Sequence, residues 1–405
     1  MARSPQMHRV PAVVVGMHLG GLAAVRGLAA AGVPVIAVHD DPHAAEMATR
    51  HARRKVILPI RSERLIDGLL HLARELPERP VLMATLRLPS LLISAHRARL
   101  ESAFRFVLPD HAIVRDAENK AHLGGLIAGS ELRLPRTLVL HGEAALAEAC
   151  GLRFPVILKP VDNDLGYMQR FEKAYILDDA EALQVRVRAI WPHHRELVAQ
   201  EWIPGGDDAL YFCLQYRSPA HGRLASFVGR NLYSWPPGKG ATAACTAAGE
   251  HRAEVEALAD AFFGRLDLTG FCGIELKRDP RTGSFYVIEP SIGRTEQLEE
   301  VAILNGVNRP HCAYCDQVGL PLPRERTSPQ AHTWLNSITT RRARHHLRAR
   351  GLPLPPLRPG RGRAYDAYLR LTDPMPALLS RLALHPRVAH PLRRRYAQVR
   401  RLFAR

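Results

Sequence analysis

Glu275 and Glu289 are the residues whose type and spacing most directly suggest chemistry. Gly273–Lys277 (GIELK) and Phe285–Glu289 (FYVIE) have the composition of two strands. The DPRTGS cluster between them holds the residues that close a hairpin. Folding about that turn sets the two carboxylates opposite, or nearly opposite, each other on one face. Directly opposed cross-strand side chains lie about 5 Å apart, and like charges there repel. A hard divalent cation shared with phosphate oxygens relieves that repulsion, since Mg2+ takes one or two protein carboxylates plus phosphates. The duller alternative is a solvated hairpin with two outward acids.

Three other stretches carry the same flavour: Phe154–Pro160 (FPVILKP), Gln200–Asp208 (QEWIPGGDD) and Pro236–Gly240 (PPGKG). Lysine usage draws attention to them. The chain has six Lys (55, 120, 159, 173, 239, 277) against 50 Arg. With Arg supplying the ordinary surface positives, the surviving lysines are candidates for positions that need a compact ammonium.

The elements that must position these residues follow from periodicity. Residues 11–115 alternate short apolar runs (Ala12–Val15, Val35–Val38, Val56–Leu58, Val81–Ala84, Phe104–Leu108) with helical patterns over Leu22–Ala31, Glu63–Glu75 and Leu91–Leu100. That alternation predicts a doubly wound parallel sheet. Its first turn, Gly16-Met-His-Leu-Gly20-Gly21, is similar to a dinucleotide fingerprint, with His18 where the second glycine belongs and Asp40 and Asp41 after the second strand. An NAD(P)-binding oxidoreductase is therefore one alternative. From Asn119 the pattern changes to an α+β domain of two lobes around a polar cleft. A run of strands from Leu197–Ile203 through Thr242–Ala247 is expected to form one sheet that the Glu275/Glu289 hairpin closes. The α/β chain thus divides into a Rossmann-like domain (1–115), a two-lobed domain (116–322) and a basic, partly helical C-terminal extension (323–405).

Composition bounds the rest. The 405 residues suffice for two or three domains with real cores, and 46% hydrophobic with 23% charged residues excludes a disordered chain. The net charge of +17 is concentrated at one end: residues 324–405 hold 19 Arg, no Lys and three acids. Basic helices of this kind can lie on anionic membrane or touch nucleic acid, although no aromatic-interleaved RNA motif accompanies them. Six scattered cysteines, including a lone Cys312-Ala-Tyr-Cys315, suit reduced thiols in a cytoplasmic protein better than disulfides or a zinc site. No stretch offers about 18 uninterrupted apolar residues. The apolar run near the N-terminus is broken by His18, Gly20, Gly21 and Arg26, so it reads as folded chain and not as a signal peptide.

In the order Lys120, Lys159, Glu201, Asp208, Lys239, Glu275, Glu289, Arg294, residues 1–320 resemble the ATP-grasp superfamily. The likeness is to its carboxylate–amine ligases of the D-aspartate-ligase and carbamoyl-phosphate-synthase type. It implies ATP and Mg2+ (or Mn2+) as cofactors. Lys120 and Lys159 would reach the phosphates. Gln200, Glu201, Trp202 and Ile203 would hold adenine, and Asp208 the ribose. Lys239, Arg294 and Arg230 would serve catalysis, and Glu275, Glu289 and Ser291 the metal. Ser291 marks a departure: the familiar Glu-x-Asn-x-Arg close is here Glu289-Pro-Ser-Ile-Gly-Arg294, with a weaker ligand and one additional residue. The implied reaction phosphorylates a carboxylate and passes the acyl group to an amine. A non-catalytic ATP-binding protein of the same fold is a second alternative. Expected partners are a small-molecule carboxylate and amine, with a homodimer and peripheral contact with anionic membrane as further candidates; nucleic acid is not expected.

Overall fold

A computed structural model describes residues 10–116, 123–161, 165–172, 174–324, 328 and 330–382. Three sheets build it. The first has β1 (Ala12–Val15), β2 (Val35–His39), β3 (Arg54–Ile57) and β4 (Val81–Ala84), all parallel in the order β3-β2-β1-β4. β1, β2 and β4 are buried along their whole length, as parallel strands covered on both faces must be. The expected fifth strand, Phe104–Leu108, is reduced to one bridge between Val81 and Arg105. Arg105 keeps backbone bonds to Leu82 and Pro80, while carbonyls at either end of the run go to side chains: Arg79 donates to Phe104, and Arg97 to Leu108.

The second sheet joins β5 (Thr137–Leu140), β6 (Val156–Pro160), β7 (Tyr175–Leu177) and β8 (Leu197–Glu201) in the order β5-β8-β6-β7, all antiparallel. Helices Glu143–Ala149 and Ala180–Ile190 share an apolar core with it through Leu146, Leu183 and Val187. Asp179 starts the second of these by accepting the Ala182 N–H.

The third sheet is the largest. It comprises β9 (Leu210–Ser218), β10 (Gly222–Trp235), β11 (Ala241–Ala247), β12 (Gly270–Arg278), β13 (Phe285–Ile292), β14 (Thr333–Leu335) and β15 (Ala364–Asp366), in the order β13-β12-β9-β10-β11-β14-β15. One expectation is corrected here. The Leu197 strand does not join the hairpin's sheet; it pairs with the FPVILKP strand across the cleft. Strands β14 and β15, from the basic extension, pair into the large sheet. Helix Arg252–Arg265 packs one face of that sheet, and helices Glu299–Leu304 and Arg309–Val318 join its other face to the first domain in a single apolar core.

Ion pairs fix that junction. Arg309 and Glu299 are both 0% exposed and paired to each other. Arg309 also donates to the carbonyls of Gln215 and Cys272, which face each other on β9 and β12. Arg26, on helix Leu19–Ala30, pairs with Glu300 and with Asp373 and donates to the Tyr368 carbonyl. Among the described residues no helix is long and apolar enough to cross a membrane.

Candidate functional site

The second and third sheets face each other across an open cleft, lined from both sides by residues such as Lys159, Gln200, Lys239 and Glu275. Its floor is the hairpin. Asp279 holds the turn by accepting the Arg281 N–H, and Gly283 sits at φ +73°, a conformation other residues adopt only with strain. Glu275 and Glu289 are direct cross-strand partners, and both line the cleft. A register shift just beyond them leaves Ile288 as an extra residue on β13, also facing the cleft. Among the described residues no group of three or more His, Cys, Asp or Glu gathers to hold a metal alone. A carboxylate pair of this kind suits a hard cation whose other ligands are phosphate and water.

The roof is the small sheet. Lys159, next to last in β6, donates to the Gln200 side-chain carbonyl at 2.9 Å, while the Gln200 amide donates to the Thr137 hydroxyl at 2.8 Å. Gln200 is thereby oriented from behind and joins the lysine. Glu201 turns to the outer side, where it accepts the Arg153 N–H, but together with Trp202 and Ile203 it still lines the hinge between lobes.

The PPGKG turn forms the third wall. Lys239 lines the cleft and is paired with Glu172 of the opposite lobe, also donating to the Ala174 carbonyl. Asp207 anchors this turn, accepting the N–H groups of Ser234 and Gly238 at 2.7 and 2.8 Å. Asp207, and not the expected Asp208, lines the cleft. Asp208 instead receives Arg230, which donates to its carboxylate at 3.1 Å and to its carbonyl. Arg230 therefore braces the short 3-10 turn Asp207–Ala209 and is not among the cleft-lining residues.

Arg294 and Ser291 meet each other. The guanidinium donates to the Ser291 hydroxyl at 3.1 Å, two residues along β13 from Glu289. Opposite Ser291 stands Gly273, and the Glu296 carboxylate occupies the space where a Gly273 side chain would lie. Lys120 lies outside the described residues.

Lys277 and Asp207 are cleft residues for which the sequence reading assigns no role. A signal existed for the lysine: two residues from Glu275, it must share that residue's face of the strand. Lys277 is 7% exposed, with its ammonium 3.8 Å from the centre of the Trp202 ring. Burial pulls its pKa down to about 8, with the Asp207 charge opposing.

The glycine turn after β1 serves packing. A side chain at Gly20 would run into the backbone of Glu296, and one at Gly21 into the Gly16 carbonyl. His39, buried under this turn, accepts the Met17 N–H through Nδ1. With Glu296 filling the space over Gly20, the dinucleotide alternative loses the close approach its phosphates need.

No protein-family profile matches the chain. It is 26% identical over 227 residues to the D-aspartate ligase of Enterococcus faecium (strain Aus0004), covering 54% of this chain and 53% of that protein. The chain thus spans about half the length of the curated relative it matches. Among solved structures, an ADP complex of N5-carboxyaminoimidazole ribonucleotide synthetase superposes with a TM-score of 0.63 at 14% identity, covering 80% of this chain and 81% of that one. The Staphylococcus aureus N5-carboxyaminoimidazole synthetase complexed with ADP gives 0.63 at 11% identity, over 82% and 85%. A biotin carboxylase complex from Campylobacter jejuni gives 0.60 at 13%, over 80% and 74%.

Proposed function

We propose that this chain, which has the fold of the ATP-grasp carboxylate–amine ligases, is an ADP-producing ligase that joins a carboxylate to an amine. The observation that carries the proposal is the Glu275–Glu289 pair on the floor of a cleft whose roof presents Lys159. The named relative supports a carbon–nitrogen ligation, and the ADP-bound neighbours support a nucleotide in the cleft. The division at residues 115 and 322 is part of the same proposal.

The residues present fit Mg2+: two opposed carboxylates, with phosphate oxygens needed to complete the shell. Bound there, the ion would withdraw charge from the phosphate chain during transfer. Glu275 and Glu289 would supply the cation's protein ligands. Lys159, and Lys120 by the resemblance, neutralise phosphate oxygens, and the Gln200–Ile203 segment offers its edge to the base. Asp207, at the corner of the PPGKG turn, takes the place by the ribose that the sequence reading gave Asp208. Arg294, held to Ser291, is the residue that the resemblance gives to the charge building on the transferred phosphoryl group. Lys239 leaves Glu172 to meet that same charge. A substrate carboxylate oxygen attacks the γ-phosphorus and ADP departs. An amine nitrogen then attacks the acyl carbon, phosphate departs, and the nitrogen gives up its proton.

The test is ADP release by the full chain against a panel of amino acids and small dicarboxylates. Glu289→Gln and Lys159→Ala should each lower it at least a hundredfold. Full activity in both variants refutes the assignment. The engaged Ser291 hydroxyl motivates a second reading, a nucleotide-binding protein without turnover. Calorimetric ATP binding with no ADP formed across the panel would favour it.

The basic extension adds a proposed peripheral contact with anionic membrane. Leu371 is 96% exposed, and Leu369, Met375, Leu378 and Leu382 are exposed beside it. Residues 383–405 follow with seven Arg and no acid. Truncation after Leu382 should abolish co-sedimentation with phosphatidylglycerol vesicles, and unchanged sedimentation rejects the contact.

A further inference from the structure

Lys277 lines the cleft and has no task in the mechanism above. Two residues beyond Glu275 on β12, it emerges on the same face about 7 Å further along the strand. That displacement runs toward the hinge, because the ammonium stands 3.8 Å from the ring centre of Trp202, a hinge residue. The metal-side carboxylates mark one end of the cleft, and Lys277 marks the other.

Its surroundings explain how a cation survives there. Burying an ammonium is costly unless something replaces its water. The Trp202 face does part of this, since the electron-rich ring attracts a desolvated cation. Asp207 adds a favourable field, though its carboxylate oxygens are committed to the Ser234 and Gly238 N–H groups. On the flanking strands Lys277 faces Leu210 of β9 and Tyr286 of β13. The other charged groups lining the cleft are Lys159, Glu201, Asp207, Lys239, Glu275 and Glu289. An ammonium carries three donors, and one face against an indole leaves the others for a ligand.

We propose that Lys277 reads the nucleoside of a bound nucleotide: its ammonium, seated on Trp202, donates to the base or ribose and not to the phosphate chain. This rests on the ligase reading only in that a nucleotide occupies the cleft. A hinge lysine is a specificity device, because its partner is the part of the ligand that distinguishes ATP from any other polyphosphate. Removing it strands no phosphate charge; it removes a contact that only a nucleoside can make.

The experiment titrates the wild-type chain, Lys277→Met and Lys277→Arg with Mg-ATP and separately with Mg-tripolyphosphate, following calorimetric heat and Trp fluorescence. Lys277→Met should weaken Mg-ATP at least tenfold and change tripolyphosphate by less than twofold, with Lys277→Arg between it and the wild type. Equal losses for both ligands would make Lys277 a phosphate counter-ion, and unchanged ATP affinity would make it structural; either overturns the proposal. If the wild type binds ATP and the variants do not discriminate, this inference fails while the ligase reading stands. If the wild type binds neither ligand, both fall.

Discussion

Replacing Arg309 with methionine tests whether the sheet carrying Glu275 is held from behind by one buried charge pair. Arg309 and Glu299 are both fully buried, and the guanidinium also serves the carbonyls of Gln215 and Cys272. Methionine fills much of the same volume but leaves Glu299 without its Arg309 counter-charge and withdraws the guanidinium donor from two carbonyls. Removing one partner of a buried pair costs about 3–5 kcal/mol. With a urea slope of about 3 kcal/mol per molar, the denaturation midpoint should fall by about 1–1.7 M. The loss should also depend on pH. Burial already pushes the Glu299 carboxyl above the usual carboxylate range, with Arg309 opposing that shift. A carboxyl with a raised folded pKa binds more protons folded than unfolded, so stability falls as pH rises past the unfolded value of about 4.5. Without Arg309 the folded pKa climbs further. The variant's deficit should therefore be smallest near pH 4 and largest at pH 7. The double variant Arg309→Met/Glu299→Leu should recover most of the loss, because it removes the stranded charge. Urea melts at pH 4, 5.5 and 7 measure all three quantities. A deficit below 1 kcal/mol, or one independent of pH, refutes the reasoning.

Two further tests separate soft from hard contacts. Gly273→Ala meets the far end of the Glu296 side chain, whereas Gly20→Ala meets the Glu296 backbone. The first should change stability by less than about 1 kcal/mol and the second should cost about 1–3 kcal/mol in thermal melts, with equal costs counting against the packing account. Lys239→Met removes a half-exposed pair to Glu172, so global stability should change by less than about 1 kcal/mol. Hydrogen exchange over Ala174–Leu177 should nonetheless speed up severalfold, because that pair and the Ala174 contact tie the lobes. Unchanged exchange would show that the bridge holds nothing.

What could be seen in advance divides by how local its cause is. The hairpin was legible because alternation and turn residues fix its register within about 20 residues, and Glu275 and Glu289 came out as partners. Strands β1 and β4 coincide with their apolar runs. The partner of the Leu197 strand was not legible, since β-pairing over 40 residues leaves no periodic trace. Asp207 against Asp208 was a choice within a 3-10 turn, where successive side chains point about 120° apart and distant groups decide: Arg230 takes Asp208, and the Ser234 and Gly238 N–H groups take Asp207. Strands β14 and β15 are three residues each, too short for any pattern, inside a segment whose arginine content masks them.

The clamp on Arg26 bears on how the protein is made. Its partner Asp373 lies 347 residues downstream, and Asp373 in turn receives the Thr49 hydroxyl and the Arg50 N–H. During synthesis the first domain leaves the ribosome long before its clasp exists. Its opening helix keeps Arg26 short of its Asp373 partner until that residue has been translated, so a message truncated short of Asp373 yields a first domain without this clasp.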